Sequence, residues 1–158
     1  MRRALYGHWR IHPQQPQAWS PLMKDRATIV CRRDGQILLV ARDRARWALP
    51  GGTVRKSEAP VQAARRELQE ETQMVAGSLQ YLFAFGGLSK RHHVFVFDVP
   101  EQAWPRPDNE IEQCRWVHPG RIATMSTSVP TREIVTMIYQ RRWREWDIDP
   151  LMDLPLWR

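Results

Sequence analysis

The chain has 158 residues, 42% apolar and 26% charged, which suits one globular domain with its own core. That balance excludes collagen, coiled-coil and wholly disordered chains, and the longest apolar run, residues 37–41, is far short of the ~20 residues that span a bilayer. The net charge of +7 is uneven: residues 1–56 hold twelve basic and three acidic side chains, and residues 57–158 hold twelve and fourteen. A basic excess invites a nucleic-acid partner, yet here it is confined to the first third. No apolar stretch follows Met1-Arg2-Arg3, so no secretory leader is expected. Cys31 and Cys114 lack metal-like spacing and read as reduced thiols of a cytoplasmic protein.

Residues 1–25 read as an irregular N-terminal arm. Pro13, Pro16 and Pro21 forbid a long helix, while Tyr6, Trp9, Ile11 and Trp19 are too apolar for a free tail. His8 and His12 stand four apart, but Trp9 occupies the place where a zinc helix needs its glutamate, so they read as surface histidines. Arg26 to Arg33 reads as a strand. Asp34-Gly35 follows as a hairpin turn, because both turn positions need positive φ. Gln36 to Ala41 is the second strand, and its unbroken apolar run predicts a central place in the sheet.

An Arg-rich loop, residues 42–50, then runs into Gly51-Gly52 and a short strand. Pro60 to about Thr72 is helical, with Pro60 in the first turn and Val61, Ala64 and Leu68 on one stripe. Leu79 to Phe85 and His93 to Val99 read as strands around a Gly86-Gly87 turn or bulge. Lys90-Arg91-His92-His93 leads into the second of these. Pro100 to Asn109 is a loop and Glu112 to Val117 a strand. Ser128 is a candidate cap for a helix with Pro130 in its first turn, running to about Glu145. Strands flanked by two helices predict an α/β fold, a mixed β-sheet between helices. The domain spans 26–145, followed by a tail over 146–158. The apolar ends, Tyr6 to Trp19 and Trp143 to Trp157, would serve a homodimer contact or wrap their own domain.

Glu67, Glu70 and Glu71 fall within about 100° of one another on one helix face. Two readings compete. One is a solvated acidic face offset by Arg65 and Arg66. The other is a site for a hard cation such as Mg²⁺ or Mn²⁺, which favours carboxylate oxygen and shares its shell with substrate phosphate.

The wider spacing bears on that choice. Gly52, Glu58, Arg66, Glu67, Glu70 and Glu71 resemble the Nudix box, G-x5-E-x7-R-E-U-x-E-E-x-G-U, where U is a bulky aliphatic residue. Six fixed positions at about 6% each match by chance on the order of 10⁻⁸ per start. Gln73 departs from the pattern, which has a helix-ending Gly there. Trp47-Ala-Leu-Pro-Gly-Gly52 also looks like the family's lead-in. The chain is thus identified as similar to the MutT-like Nudix hydrolases, whose fold is an α/β/α sandwich.

That resemblance implies a metal-dependent hydrolase, cleaving a pyrophosphate linkage in a nucleoside diphosphate derivative or similar polyphosphate by water attack at phosphorus. It implies Mg²⁺ or Mn²⁺ held by Glu67, Glu70 and Glu71, with Glu110 as a further acid from outside the box. Glu67, Glu70, Glu71 and Arg66 would be the catalytic group, with Glu67 or an acid outside the box as general base. Gly51, Gly52 and Glu58 would support them. Arg42, Arg44, Arg46, Arg55, Arg91 and His92 are the candidates for substrate phosphate. Arg42 to Trp47 with the Lys90 to His93 patch is similar to the diphosphoinositol and diadenosine polyphosphate hydrolases of the family. Other readings stand beside this: a nucleoside triphosphate pyrophosphohydrolase, a sugar-nucleotide hydrolase, an RNA 5′-end pyrophosphohydrolase, or a Nudix-fold module that binds nucleotide or RNA without cleaving it. The expected partner is a small nucleotide or polyphosphate, with no membrane and no nucleic acid beyond an RNA 5′ end.

Overall fold

The computed structural model describes residues 23–87 and 89–139. The N-terminal arm as far as residue 22, with His8, His12, Trp9 and Trp19, lies outside the described residues. So do residues 140–145, read from the sequence as the end of the last helix, and the 146–158 tail.

Strands β1 (Lys24–Arg33) and β2 (Gln36–Ala41) form the first hairpin. Its turn residues, Asp34 and Gly35, have φ of 50° and 71°. An Asp-Gly pair meets that need, since Gly has no Cβ and Asp tolerates the left-handed region. Strand β3 (Gly51–Thr53) pairs antiparallel with Arg26–Thr28, at the opposite end of β1 from the hairpin. Helix α1 (Pro60–Thr72) follows. Strands β4 (Gln80–Gly86) and β5 (Lys90–Asp98) make a second hairpin, with the Gly87 N–H donating to the Lys90 carbonyl at 2.8 Å. β5 lies parallel to β1, and β6 (Gln113–Val117) lies antiparallel to β2. A 3₁₀ turn, Pro119–Thr124, leads to helix α2 (Val129–Tyr139). The order β4-β5-β1-β2-β6, with β3 beside β1, is the mixed sheet read from the sequence.

The sheet has a helix on each face because its strands alternate. Ala27, Ile29 and Cys31 pack with Ala63, Ala64 and Leu68 of α1, and with Phe95 and Phe97. Val30, Ile37 and Leu39 face the other way, against Ile134, Val135 and Ile138 of α2. β2 is an interior strand, between β1 and β6 and one place off the sheet's centre, and its Ile-Leu-Leu-Val is buried on both faces. Burying a side chain such as Leu68 contributes roughly 2 kcal/mol. Ser128 caps α2 by accepting from the Thr131 N–H at 3.3 Å. Thr131 in turn accepts from the Leu49 N–H at 2.9 Å, tying α2 to the loop before β3.

Several strand boundaries differ from the sequence reading: β1 starts at Lys24, two residues early, β4 runs on to Gly86 and β5 ends at Asp98. β5 starts at Lys90, so Lys90, Arg91 and His92 belong to the strand rather than leading into it. β4 begins at Gln80 and β6 at Gln113, each one residue late. The 3₁₀ turn carried no recognised signal. Both cysteines are free thiols; Cys31 is buried and Cys114 partly so. Among the described residues no helix is long and apolar enough to cross a membrane.

Candidate active site

The site grows from the junction of β3 and α1. Gly51 has φ of +146°, and a Cβ there would stand 2.1 Å from the Ala27 carbonyl oxygen. Only glycine lets β3 run this close to β1. A Cβ on Gly52 would fall 2.0–2.3 Å from the carboxylate of Glu67, so that carboxylate rests directly on the glycine backbone. The Gly51 N–H donates to Glu71 Oε2 at 2.9 Å. Two adjacent glycines thus seat two glutamates of α1.

Arg66 organises the others. Its guanidinium grips Glu58 with two bonds, Nε to Oε1 at 2.8 Å and Nη2 to Oε2 at 3.0 Å. Nη1 reaches Glu67 at 2.6 Å and Glu70 at 3.0 Å, and Nη2 also donates to the Thr53 carbonyl at 3.1 Å. The Arg66 bond, helped by the Arg55 N–H, pulls the Glu58 carboxyl down to about 2. Arg55 stands 3.7 Å from Glu70.

Glu71 is only 4% exposed. Burial pushes its pKa up to about 7, against the pull of the Gly51 N–H and the nearby Arg26. The solvated acidic face is therefore corrected at this residue: one of the three glutamates is taken out of water. Among the described residues, no three carboxylate, imidazole or thiol side chains stand close enough to hold a metal as they are. The donor set nonetheless fits a hard cation. It is all oxygen, it is seated on glycine backbone, and Glu71 is held out of water within the electrostatic reach of Glu67.

Beside these acids the surface opens into two adjoining lobes of about 240 Å³ each, sharing Arg26, Ala48, Leu49 and Lys90. One lobe brings Glu71 together with Arg26, Arg42, Arg46 and Lys90, and Ile111 also lines it. The other adds Thr28, His92, Ser128, Thr131 and the apolar Pro130 and Ile134. The structure divides the phosphate candidates. Arg42 and Arg46 line the first lobe and His92 the second. Arg44 stands in solvent 3.8 Å from Asp43. Arg91 is held by Asp25 through a bidentate pair at 2.6 and 3.0 Å, with His93 on the same carboxylate. Glu110 pairs with Arg42.

Arg26 was missed from the sequence. It donates to the Gly51 carbonyl, is half-buried, and feels both Glu71 and Glu67. The signal was its phase in β1: it shares a face with Thr28 and Val30, which a strand of this kind buries.

His92 carries a pH prediction. Its ring Nδ1 lies 2.9 Å from the Thr28 hydroxyl, and burial, with Arg26, Lys90 and His93 nearby, lowers its pKa to about 4. The unfolded chain binds a proton at His92 near pH 6.5, which the folded chain refuses until about pH 4. Stability from this residue is thus complete above pH 6.5 and falls as the pH drops toward 4, by about 3 kcal/mol in all. Denaturant unfolding of the parent and His92→Gln between pH 4.5 and 7 checks this: the variant should show the shallower slope, and equal slopes would refute it.

The NUDIX domain family model matches residues 22–136. A Bacillus subtilis (strain 168) protein named "Putative 8-oxo-dGTP diphosphatase" is 35% identical over 112 residues, 66% of this chain and 71% of the relative. The crystal structure of a "putative nudix hydrolase family member" from Chromobacterium violaceum matches with a TM-score of 0.65 at 31% identity, covering 78% of this chain and 77% of that one. A MutT NUDIX hydrolase from Burkholderia pseudomallei, 23% identical, shares the fold with a TM-score of 0.62 over 71% of this chain and 95% of its own.

Proposed function

The chain belongs to the Nudix family and is a MutT-like pyrophosphohydrolase, and from that premise we propose that it hydrolyses a nucleoside triphosphate to the monophosphate and pyrophosphate with Mg²⁺ or Mn²⁺. The observation that carries this reading is the cleft: buried Glu71 at one wall, with Arg26, Arg42, Arg46 and Lys90 around it. Cations at that density suit an anionic chain of phosphates, and Arg forks match phosphate oxygens. The second lobe, part polar and part apolar, suits the flat, polar-edged body of a base. The name of the Bacillus subtilis relative favours the triphosphate class over a sugar nucleotide. Arg91, bound to Asp25, and Arg44, in solvent, give the diphosphoinositol-like reading less support.

Glu67, Glu70 and Glu71 would hold the metal, which supplies charge neutralisation and a more acidic bound water when present. The protein's own parts have distinct tasks. Gly51 orients Glu71, and Arg66 holds Glu67 and Glu70 on one side of its guanidinium. Arg26, Arg42, Arg46 and Lys90 neutralise the phosphates. Glu67, seated on Gly52, would take the proton that water loses as its oxygen joins phosphorus and the bridging P–O bond breaks.

A nucleotide panel with Mg²⁺ and Mn²⁺, read by mass spectrometry of the products, tests the proposal. It should include nucleoside triphosphates, 8-oxo-dGTP, a sugar nucleotide, a dinucleoside polyphosphate and a 5′-triphosphorylated RNA. The expected result is a monophosphate and pyrophosphate from a triphosphate. Preferential cleavage of the sugar nucleotide, dinucleotide or RNA would replace the substrate class, and binding without cleavage would replace the activity. Arg42→Ala and Arg46→Ala should each raise KM for a triphosphate by about tenfold while lowering kcat far less. Unchanged KM in both variants would remove these residues from the site.

A further inference from the structure

Gln73, where the box pattern has glycine, adopts the left-handed conformation, φ 59° and ψ 9°, and its N–H closes on the Gln69 carbonyl at 2.9 Å. A side chain there is strained where glycine is not. The side chain also acts: its Nε2 donates to Asp108 Oδ2 at 3.0 Å. Asp108 in turn organises a turn over residues 108–111. Its Oδ1 accepts from the Asn109 N–H at 2.7 Å, and its carbonyl accepts from the Ile111 N–H at 3.0 Å. Asn109 is itself left-handed, with φ of 55°.

Backbone bonds stitch this turn to the end of α1. The Arg106 N–H donates to the Thr72 carbonyl at 2.9 Å, and the Asp108 N–H to the Glu71 carbonyl at 3.2 Å. On the far side, Glu110 pairs with Arg42 and Ile111 lines the cleft with Glu71. The Glu112 N–H then bonds the Ala41 carbonyl at 2.9 Å, next to Arg42. The turn therefore spans from the end of the glutamate helix to the cationic wall of the cleft.

We propose that Gln73 is a positioning residue: through Asp108 it holds the 108–111 turn, and with it Glu110 and Arg42, at the mouth of the cleft. Glycine would end the helix with less strain but offers no side chain for this tether. The kinetic part of the test rests on the proposed hydrolysis; the exchange part does not.

The variants are Gln73→Gly, Asp108→Ala and Asp108→Asn. In Asp108→Asn the Gln73 amide can turn over and accept from the new Nδ2, so this variant should rescue. Amide hydrogen exchange on the full chain, without metal or nucleotide, should speed up about fivefold at Asn109, Ile111 and Glu112 in Gln73→Gly and Asp108→Ala, and stay near parental in Asp108→Asn. The melting temperature of Gln73→Gly should rise even so, because the left-handed strain is gone. With 8-oxo-dGTP and Mg²⁺, KM should rise about fivefold in Gln73→Gly and Asp108→Ala with kcat within twofold, and the double variant should be no worse than either single. A purely structural cap would make Gln73→Gly more stable, at least as active and unchanged in exchange; that result overturns the proposal. If no nucleotide is hydrolysed, the exchange measurement alone decides it: parental exchange in both disrupting variants is fatal.

Discussion

Replacing Glu71 by Gln is expected to lower kcat by a factor on the order of a thousand while leaving the melting temperature within a few degrees of the parent. The two expectations have separate causes. Gln has the same shape, and its Oε1 can still accept from the Gly51 N–H that now holds Glu71. Burial has already raised this carboxyl to about 7, so a neutral amide is no worse a tenant of the same space. What disappears is the carboxylate's capacity to carry negative charge at the wall of the cleft, near Arg26 and the proposed phosphate site. Glu70→Gln should behave similarly in rate. A parental rate in either variant would mean that these carboxylates do not hold the metal.

Gly51→Ala and Gly52→Ala should fail in opposite ways, although the residues are neighbours. At Gly51 the added Cβ meets backbone, the Ala27 carbonyl oxygen at 2.1 Å, from a φ of +146°. The β1–β3 ladder cannot move aside without losing its bonds. A cost of at least about 3 kcal/mol is expected, roughly a 10 °C loss in Tm for a chain of this size. At Gly52 the Cβ meets only the end of the Glu67 side chain, which can swing away. The fold should survive, but a carboxylate displaced by an ångström or more costs about a hundredfold in kcat. Circular dichroism melts together with initial rates separate the two. A well-folded Gly51→Ala, or a fully active Gly52→Ala, would break the geometric argument.

These contrasts also explain what the sequence made legible. The Asp34-Gly35 turn and the span of α1 were readable because their causes are local: backbone freedom in one case, Pro60 and the apolar stripe in the other. The start of β5 was hidden because Lys90-Arg91-His92-His93 looks like loop composition. Its order comes from parallel pairing with β1, where Asp25 binds Arg91 and Thr28 meets His92 across more than sixty residues of chain. The helical wheel put three glutamates on one face, yet could not say which one leaves water. That depends on where Gly51 sits, which is set by the β1–β3 register. Arg26 was overlooked for the same reason, since a cation in a strand gains meaning only from what faces it. The +7 charge has become a local statement. Part of the early excess, Arg26, Arg42 and Arg46, lines a cleft beside an acidic group rather than spreading over a surface.

The Glu67, Glu70 and Glu71 group is proposed to support a metal-dependent attack of water on phosphorus. Turnover of 8-oxo-dGTP in ¹⁸O-enriched water, with Mg²⁺ and then with excess EDTA, tests it most directly. One ¹⁸O atom should enter the monophosphate or the pyrophosphate per turnover, and EDTA should stop the reaction. Undiminished turnover in EDTA, or products free of ¹⁸O, would contradict the account.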